Sequence, residues 1–197
     1  MTTSWLGGDG WAGTSWAEGT KYDNCLSMFP THSSVLYIFT LADSGINSIM
    51  DLEGKAIGTG ALGSTSGDAV PLLLDALGIT VKSTATLSSS GICDALKDGT
   101  IDVGFGVTGV PASWMLDLET SKDIKIIPLS EDEINTILTA QPYWSSGVIP
   151  GGVYDNSAAI NIMLINRFIL PPYFSLHSYC LRVNFPLGMG RLFLSEQ

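Results

Sequence analysis

Apolar positions along this chain follow two rhythms that take turns. Val35 to Leu41 is β-branched, aromatic and almost continuously apolar, the pattern of a strand buried on both faces. Asp43-Ser44-Gly45 ends it, and Ile49 to Leu52, behind Ser48, reads as one helical turn. From Gly54 onward the alternation is regular. Lys55–Thr59, Thr84–Leu87, Ile101–Val107 and Ile124–Leu129 read as strands. Ser66–Leu77, Ser89–Lys97, Pro111–Thr120 and a segment from Ser130 to about Ala140 read as helices.

The first of these helices carries Val70, Leu73, Leu74 and Leu77 on one face and has Gly78 as its C-cap. Pro71 in its early turns suggests a start nearer Gly67. The last begins with a capping box, Ser130 with Glu133 three residues on, and stops before Pro142. Strands and helices alternating at this spacing predict an α/β domain around a mostly parallel sheet. Residues 1–20 are rich in turns, with one short helix around Trp11 to Glu18.

Composition narrows the function classes. With 45% hydrophobic and 14% charged residues, the chain can build a core and is not a disordered segment. A net charge of -10 excludes the basic surface that phosphate backbones require, so no nucleic-acid partner is expected. Residues 1–20 lack the basic start and apolar run of a secretory leader, and no 18-residue apolar run spans a membrane. Cys25, Cys93 and Cys180 are widely separated, without the spacing of a zinc or redox site. His32 and His177 lie near no nucleophile elbow and form no metal-ligand pattern, so catalysis finds no support and no cofactor is expected.

Charge type also divides the chain. Residues 1–156 hold all six lysines and residues 157–197 all three arginines. The second segment also lacks the strand–helix rhythm, and is expected to be a divergent tail, with an altered reading frame near residue 157 as one explanation.

The stretch Gly58-Thr59-Gly60-Ala61-Leu62-Gly63 matches the spacing G-x-G-x-x-G, and Ser64-Thr65 follows. The dinucleotide reading needs an acid at the end of the next strand, and Thr84–Ser88 has none there. The P-loop reading needs a lysine where Ser64 stands. What remains is a strand, a Gly/Ser/Thr turn and a helix start, whose free N–H groups and dipole favour a small anion such as a carboxylate. A plain helix cap is the alternative.

Four longer stretches carry a resemblance. They are "LADSGINSIMDLEGKAIGTGALGSTSGDA" (41–69), "LLLDALGI" (72–79), "ALKDGTIDVGFGVTGVPASWMLDL" (95–118) and "IKIIPLSEDEINTILTAQPYWSSGVIPGGVY" (124–154). In order and spacing they resemble the solute receptors of TRAP transporters, TAXI family, over about residues 20 to 156. The resemblance implies an α/β, type II periplasmic-binding-protein-like fold of two lobes with a ligand cleft between them. It implies an extracytoplasmic receptor, not an enzyme. Such a receptor delivers a small organic acid or amino acid, glutamate-like, to a TRAP membrane permease.

On that basis residues 1–52 are expected to be a first-lobe remnant with a crossover strand. Residues 53–145 are a largely complete second lobe, 146–156 a crossover or hinge, and 157–197 the tail. With most of the first lobe missing, Val35 to Leu41 is expected to be partly exposed. The ligand-binding residues expected are Gly63, Ser64, Thr65 and Ser66 at the first turn and Thr108 and Gly109 at the second. Tyr154 either closes over the ligand or packs in the hinge. The alternatives are a nucleotide-binding α/β enzyme using the Gly58–Gly63 turn, and a truncated receptor copy without function.

Overall fold

In a computed structural model of the protein, the described residues are 34–154 and 158–165. Residues 18–21 and backbone at 2–3, 12, 29–30 and 167–169 are described as well. The expected helix around Trp11 to Glu18 and both histidines lie outside them, apart from Ala12 and Glu18. Ten strands are described. They are β1 (Thr2–Thr3), β2 (Phe29–Pro30), β3 (Ser34–Leu41), β4 (Ala56–Thr59), β5 (Ser83–Thr86), β6 (Val103–Thr108), β7 (Ile124–Ile126), β8 (Ser145–Ile149), β9 (Ile160–Ile165) and β10 (Arg167–Ile169). The α-helices are α1 (Thr65–Leu77), α2 (Ser89–Lys97), α3 (Ser113–Glu119) and α4 (Glu131–Ala140). Ile49–Leu52 is a 3-10 turn, as the sequence suggests.

Seven strands form one open sheet in the order β5-β4-β6-β3-β9-β8, and β7 joins the same edge of β3 as β9. The class is the expected α/β, but the sheet is mixed rather than mostly parallel. β4 pairs in parallel with β5 and β6, but β3 lies antiparallel in the middle. A parallel rhythm in sequence therefore becomes a mixed sheet, because the strand that precedes the rhythm inserts beside β6. β1, β10 and β2 form a separate small antiparallel sheet.

The alternation of β3 explains its near-continuous apolar character. Leu36 and Ile38 face one core with the apolar faces of α1 and α4. Val35, Tyr37 and Phe39 face the other with α2 and α3. Helices cover both sides, so every second residue is buried either way. The expectation that Val35 to Leu41 is partly exposed is therefore corrected: Val35 to Phe39 are each at most 5% exposed.

The boundary drawn at residue 157 also does not end the fold. Ile160–Ile165 is a full strand, paired with β3 through Ser34↔Ile165 and with β8 through Ser145↔Leu164. Its apolar run is legible in the sequence, but Asn161 interrupts it and Asn166 and Arg167 follow directly. Asn161 is exposed while Ile162 and Met163 are buried, one toward each core.

Glycine lets the helices of one layer approach β4 and β6. A side chain at Gly104 would meet Phe39 Cζ at 2.5 Å and Ile92 Cγ2 at 2.7 Å, and one at Gly106 would meet the Trp114 ring at 2.8 Å. Val103 and Phe105, which alternate with them on the opposite face, are fully buried.

Candidate functional site

The helices α1 and α3 start at the carboxyl ends of adjacent parallel strands, β4 and β6. Ligands in open α/β sheets lie outside this end. The first turn, Gly60 to Ser64, is tightly built. Ser64 caps α1, its hydroxyl accepting from the Gly67 N–H at 3.1 Å. The helix therefore begins at Thr65 rather than near Gly67. Pro71 lies two residues deeper in the helix than expected, and the Gly67 carbonyl loses the partner that its missing N–H would supply.

A side chain on Gly60 would run into the Ser64 and Ser66 hydroxyls, and one on Gly67 into the Ala61 carbonyl. Gly63 takes φ +75°, a conformation that glycine adopts without cost. Gly58, the first glycine of the spacing, sits inside β4 against Ile101 and Ile92.

Several donors at this helix start are already used. The Gly63 N–H donates to the Asp68 carboxylate at 3.2 Å, the Ser64 N–H to the Ala61 carbonyl, and the Asp68 N–H to the Ser64 carbonyl. Ser64 Oγ accepts from Gly67, so its own proton is left to give. Its neighbour Ser66 Oγ stands 3.5 Å away and is 9% exposed. Thr65 is half-buried in the first turn. Ser64 and Ser66 thus place two hydroxyls side by side at the helix start.

The second turn, Thr108 to Ala112, contains a cis Val110–Pro111 bond. Two phenols hold it from below. Tyr37 Oη donates to the Gly109 carbonyl at 3.0 Å, and the Ala112 N–H donates to Tyr154 Oη at 2.9 Å. The two hydroxyls are 2.8 Å apart. Since Tyr37 spends its proton on Gly109, Tyr154 donates to Tyr37, and every proton in the chain of bonds has an acceptor. Tyr37 packs edge-on against both Trp114 and Tyr154. Burial raises the Tyr37 phenol above the ordinary tyrosine range.

Tyr154 is 4% exposed and belongs to the apolar layer with α2 and α3. That position is the packed alternative of its two expected roles. Thr108 and Gly109 are half-buried, and Val110 at the tip is 39% exposed. The sequence reading missed Tyr37, which looked like one more apolar position of β3. It also missed a third turn, where Ser88 caps α2 and Leu87 bonds to Thr59 beside the first turn. The run Ser88-Ser89-Ser90-Gly91 after a strand was the available signal.

Two shallow cavities of about 180 Å³ lie elsewhere. One is lined by Glu119, Lys125, Pro128, Tyr154, Ala159 and Ile160, the other by Thr40, Asp43, Ser44, Leu96, Gly99 and Asp102. Neither reaches the two turns, which are open to solvent on one side. Cys93 is buried, its thiol raised by burial and directed at the Trp114 carbonyl at 3.8 Å. Among the described residues no group of three or more His, Cys, Asp or Glu is placed to hold a metal.

The model of the NMT1-like family matches residues 1–166. The chain belongs to the NMT1-like family. The match begins earlier and ends later than the resemblance read from sequence, and its end takes in β9. Solved structures similar to the chain include Tv2483 bound to L-arginine, at 18% identity and TM-score 0.42, covering 74% of this chain and 47% of that one. XAC2383 from Xanthomonas citri bound to ATP is similar at 16% identity and TM-score 0.46, covering 73% and 51%. The periplasmic aliphatic sulphonate binding protein SsuA from Escherichia coli is similar at 16% identity and TM-score 0.38, covering 48% and 34%. The chain spans about a third to a half of the length of these solved chains.

Proposed function

We propose that this chain is the greater part of the second lobe of an extracytoplasmic solute receptor of the TAXI type, working with a TRAP membrane permease. The solute is a small organic acid or amino acid, glutamate-like. Membership of the NMT1-like family supports the receptor class. The observation that carries the reading is the pair of Gly/Ser/Thr turns at the carboxyl ends of adjacent strands β4 and β6. Gly63 forms the turn, and Ser64, Thr65 and Ser66 carry hydroxyls at the start of a 13-residue helix, where a ligand carboxylate is favoured. Thr108 and Gly109 form the second contact, and Tyr154 holds that turn from below. The role is capture and delivery, without a reaction.

The test is a thermal melt followed by tryptophan fluorescence, alone and with millimolar L-glutamate, L-glutamine, 2-oxoglutarate or succinate. Binding to the native state alone raises the midpoint. Ser64→Ala should remove most of any ligand-induced rise, since a charge-assisted hydrogen bond is worth about 1.5–3 kcal/mol. A ligand-induced rise that Ser64→Ala leaves intact would take Ser64 out of the site. A midpoint that none of these solutes moves would refute the ligand class.

A further inference from the structure

We infer that the Val110 backbone N–H is a ligand donor of this site, aimed outward by the Tyr37 hydroxyl. The inference rests on the receptor reading above and adds a contact that no side-chain pattern marks.

The argument starts from one peptide plane. Among the described residues the cis bond is Val110–Pro111, so the Gly109–Val110 peptide is trans. In a trans peptide the C=O and the N–H point in opposite directions. The Gly109 C=O is held by the phenol of Tyr37, a residue with no exposed surface in the layer beneath the turn. The Val110 N–H therefore points away from that layer. It makes no hydrogen bond to any described residue, and Val110 is 39% exposed.

The plane is held on its other side as well. Pro111 has no N–H, and the next amide, Ala112, is taken by Tyr154 Oη at 2.9 Å. Tyr154 in turn donates to Tyr37. Rotating the 109–110 plane would break the Tyr37–Gly109 bond and leave the fully buried Tyr37 phenol without its acceptor. The two tyrosines come from β3 and from the segment after β8, far apart in sequence. They act as positioning residues, and the donor they orient belongs to neither. An outward N–H beside the hydroxyl-rich first turn suits an acceptor oxygen of the ligand, such as one carboxylate oxygen. This placement depends on the peptide plane and not on the dipole of the short helix α3.

The test follows backbone amide shifts of the 15N-labelled chain during separate titrations with L-glutamate and succinate. The expected result is a saturable downfield shift of the Val110 amide together with shifts at Ser64 to Ser66. Tyr37→Phe keeps the ring packing and removes the bond to Gly109. It should weaken the Val110 response by roughly five-fold, the scale of one hydrogen bond. Ile137→Val, a core change on the opposite face of the sheet, should lower stability to a similar degree without changing that response.

Three results overturn the inference. Shifts at Ser64 to Ser66 without one at Val110 would leave the receptor reading standing and remove Val110 from it. An unchanged Val110 response in Tyr37→Phe, or an equal loss in Ile137→Val, would end the positioning role. No shift at either turn with either solute would refute the receptor reading for these solutes, and the inference with it.

Discussion

Tyr154→Phe separates two roles for one residue by its stability alone. The substitution keeps the ring, and so its edge-on packing against Tyr37 at 6.1 Å between centroids. It removes one oxygen that accepts from Ala112 at 2.9 Å and pairs with Tyr37 Oη at 2.8 Å. Both bonds are buried, and water cannot replace the lost oxygen without opening the layer. An unsatisfied buried group costs about 1–3 kcal/mol. The Ala112 N–H is left in that state. Tyr37 keeps its bond to Gly109, so its loss is smaller. A destabilisation of about 1–3 kcal/mol corresponds to about 2–12 °C in midpoint for a chain of this size. The assay is a ligand-free melt followed by tryptophan fluorescence, with a urea titration as the second measure. If Tyr154 only closed over a ligand, its hydroxyl would be solvated in the free protein and the ligand-free midpoint would not move. A shift below about 1 °C refutes the packed role.

Two further outcomes follow from other parts of the fold. Gly104→Ala puts a methyl against Phe39 and Ile92, both held in the layer with α2, and should cost about 1–3 kcal/mol in urea denaturation; a stability equal to wild type would mean that α2 can move away from the sheet. Asp51 accepts from the Asn47 and Ser48 backbone N–H groups at 2.8 and 2.9 Å, which lowers its carboxyl below the ordinary range. A lowered folded value contributes stability that is present above the ordinary carboxylate range and lost as pH falls through the folded value. Wild type should therefore exceed Asp51→Asn in urea midpoint near neutral pH, and the gap should shrink toward strongly acidic pH; a gap independent of pH would rule out the ionised carboxylate as its source.

The elements were largely legible because each follows from local chemistry. Apolar patterns at strand and helix periods, the Ser130 capping box and the Gly78 C-cap placed all four α-helices within two residues at their ends, while the Ser64 and Ser88 caps appeared only in the structure. The class, α/β with an open sheet, followed from their alternation. The Gly60–Ser66 turn could be read as a helix start with spare hydroxyls, because capping is an interaction over three residues.

What only the tertiary structure decided depends on pairs far apart in sequence. Nothing local says that β3 inserts antiparallel beside β6, or that Ile160–Ile165 completes its other edge, since strand pairing depends on backbone groups that every residue carries. The same reason hid the second turn. Tyr37 and Tyr154 are 117 positions apart, and their hydroxyls meet only when β3 and the segment after β8 pack in one layer under α3. A phenol in an apolar run gives no local sign of its partner. The direction of one peptide plane at Gly109 is set by that partner, and it becomes visible only in the folded chain.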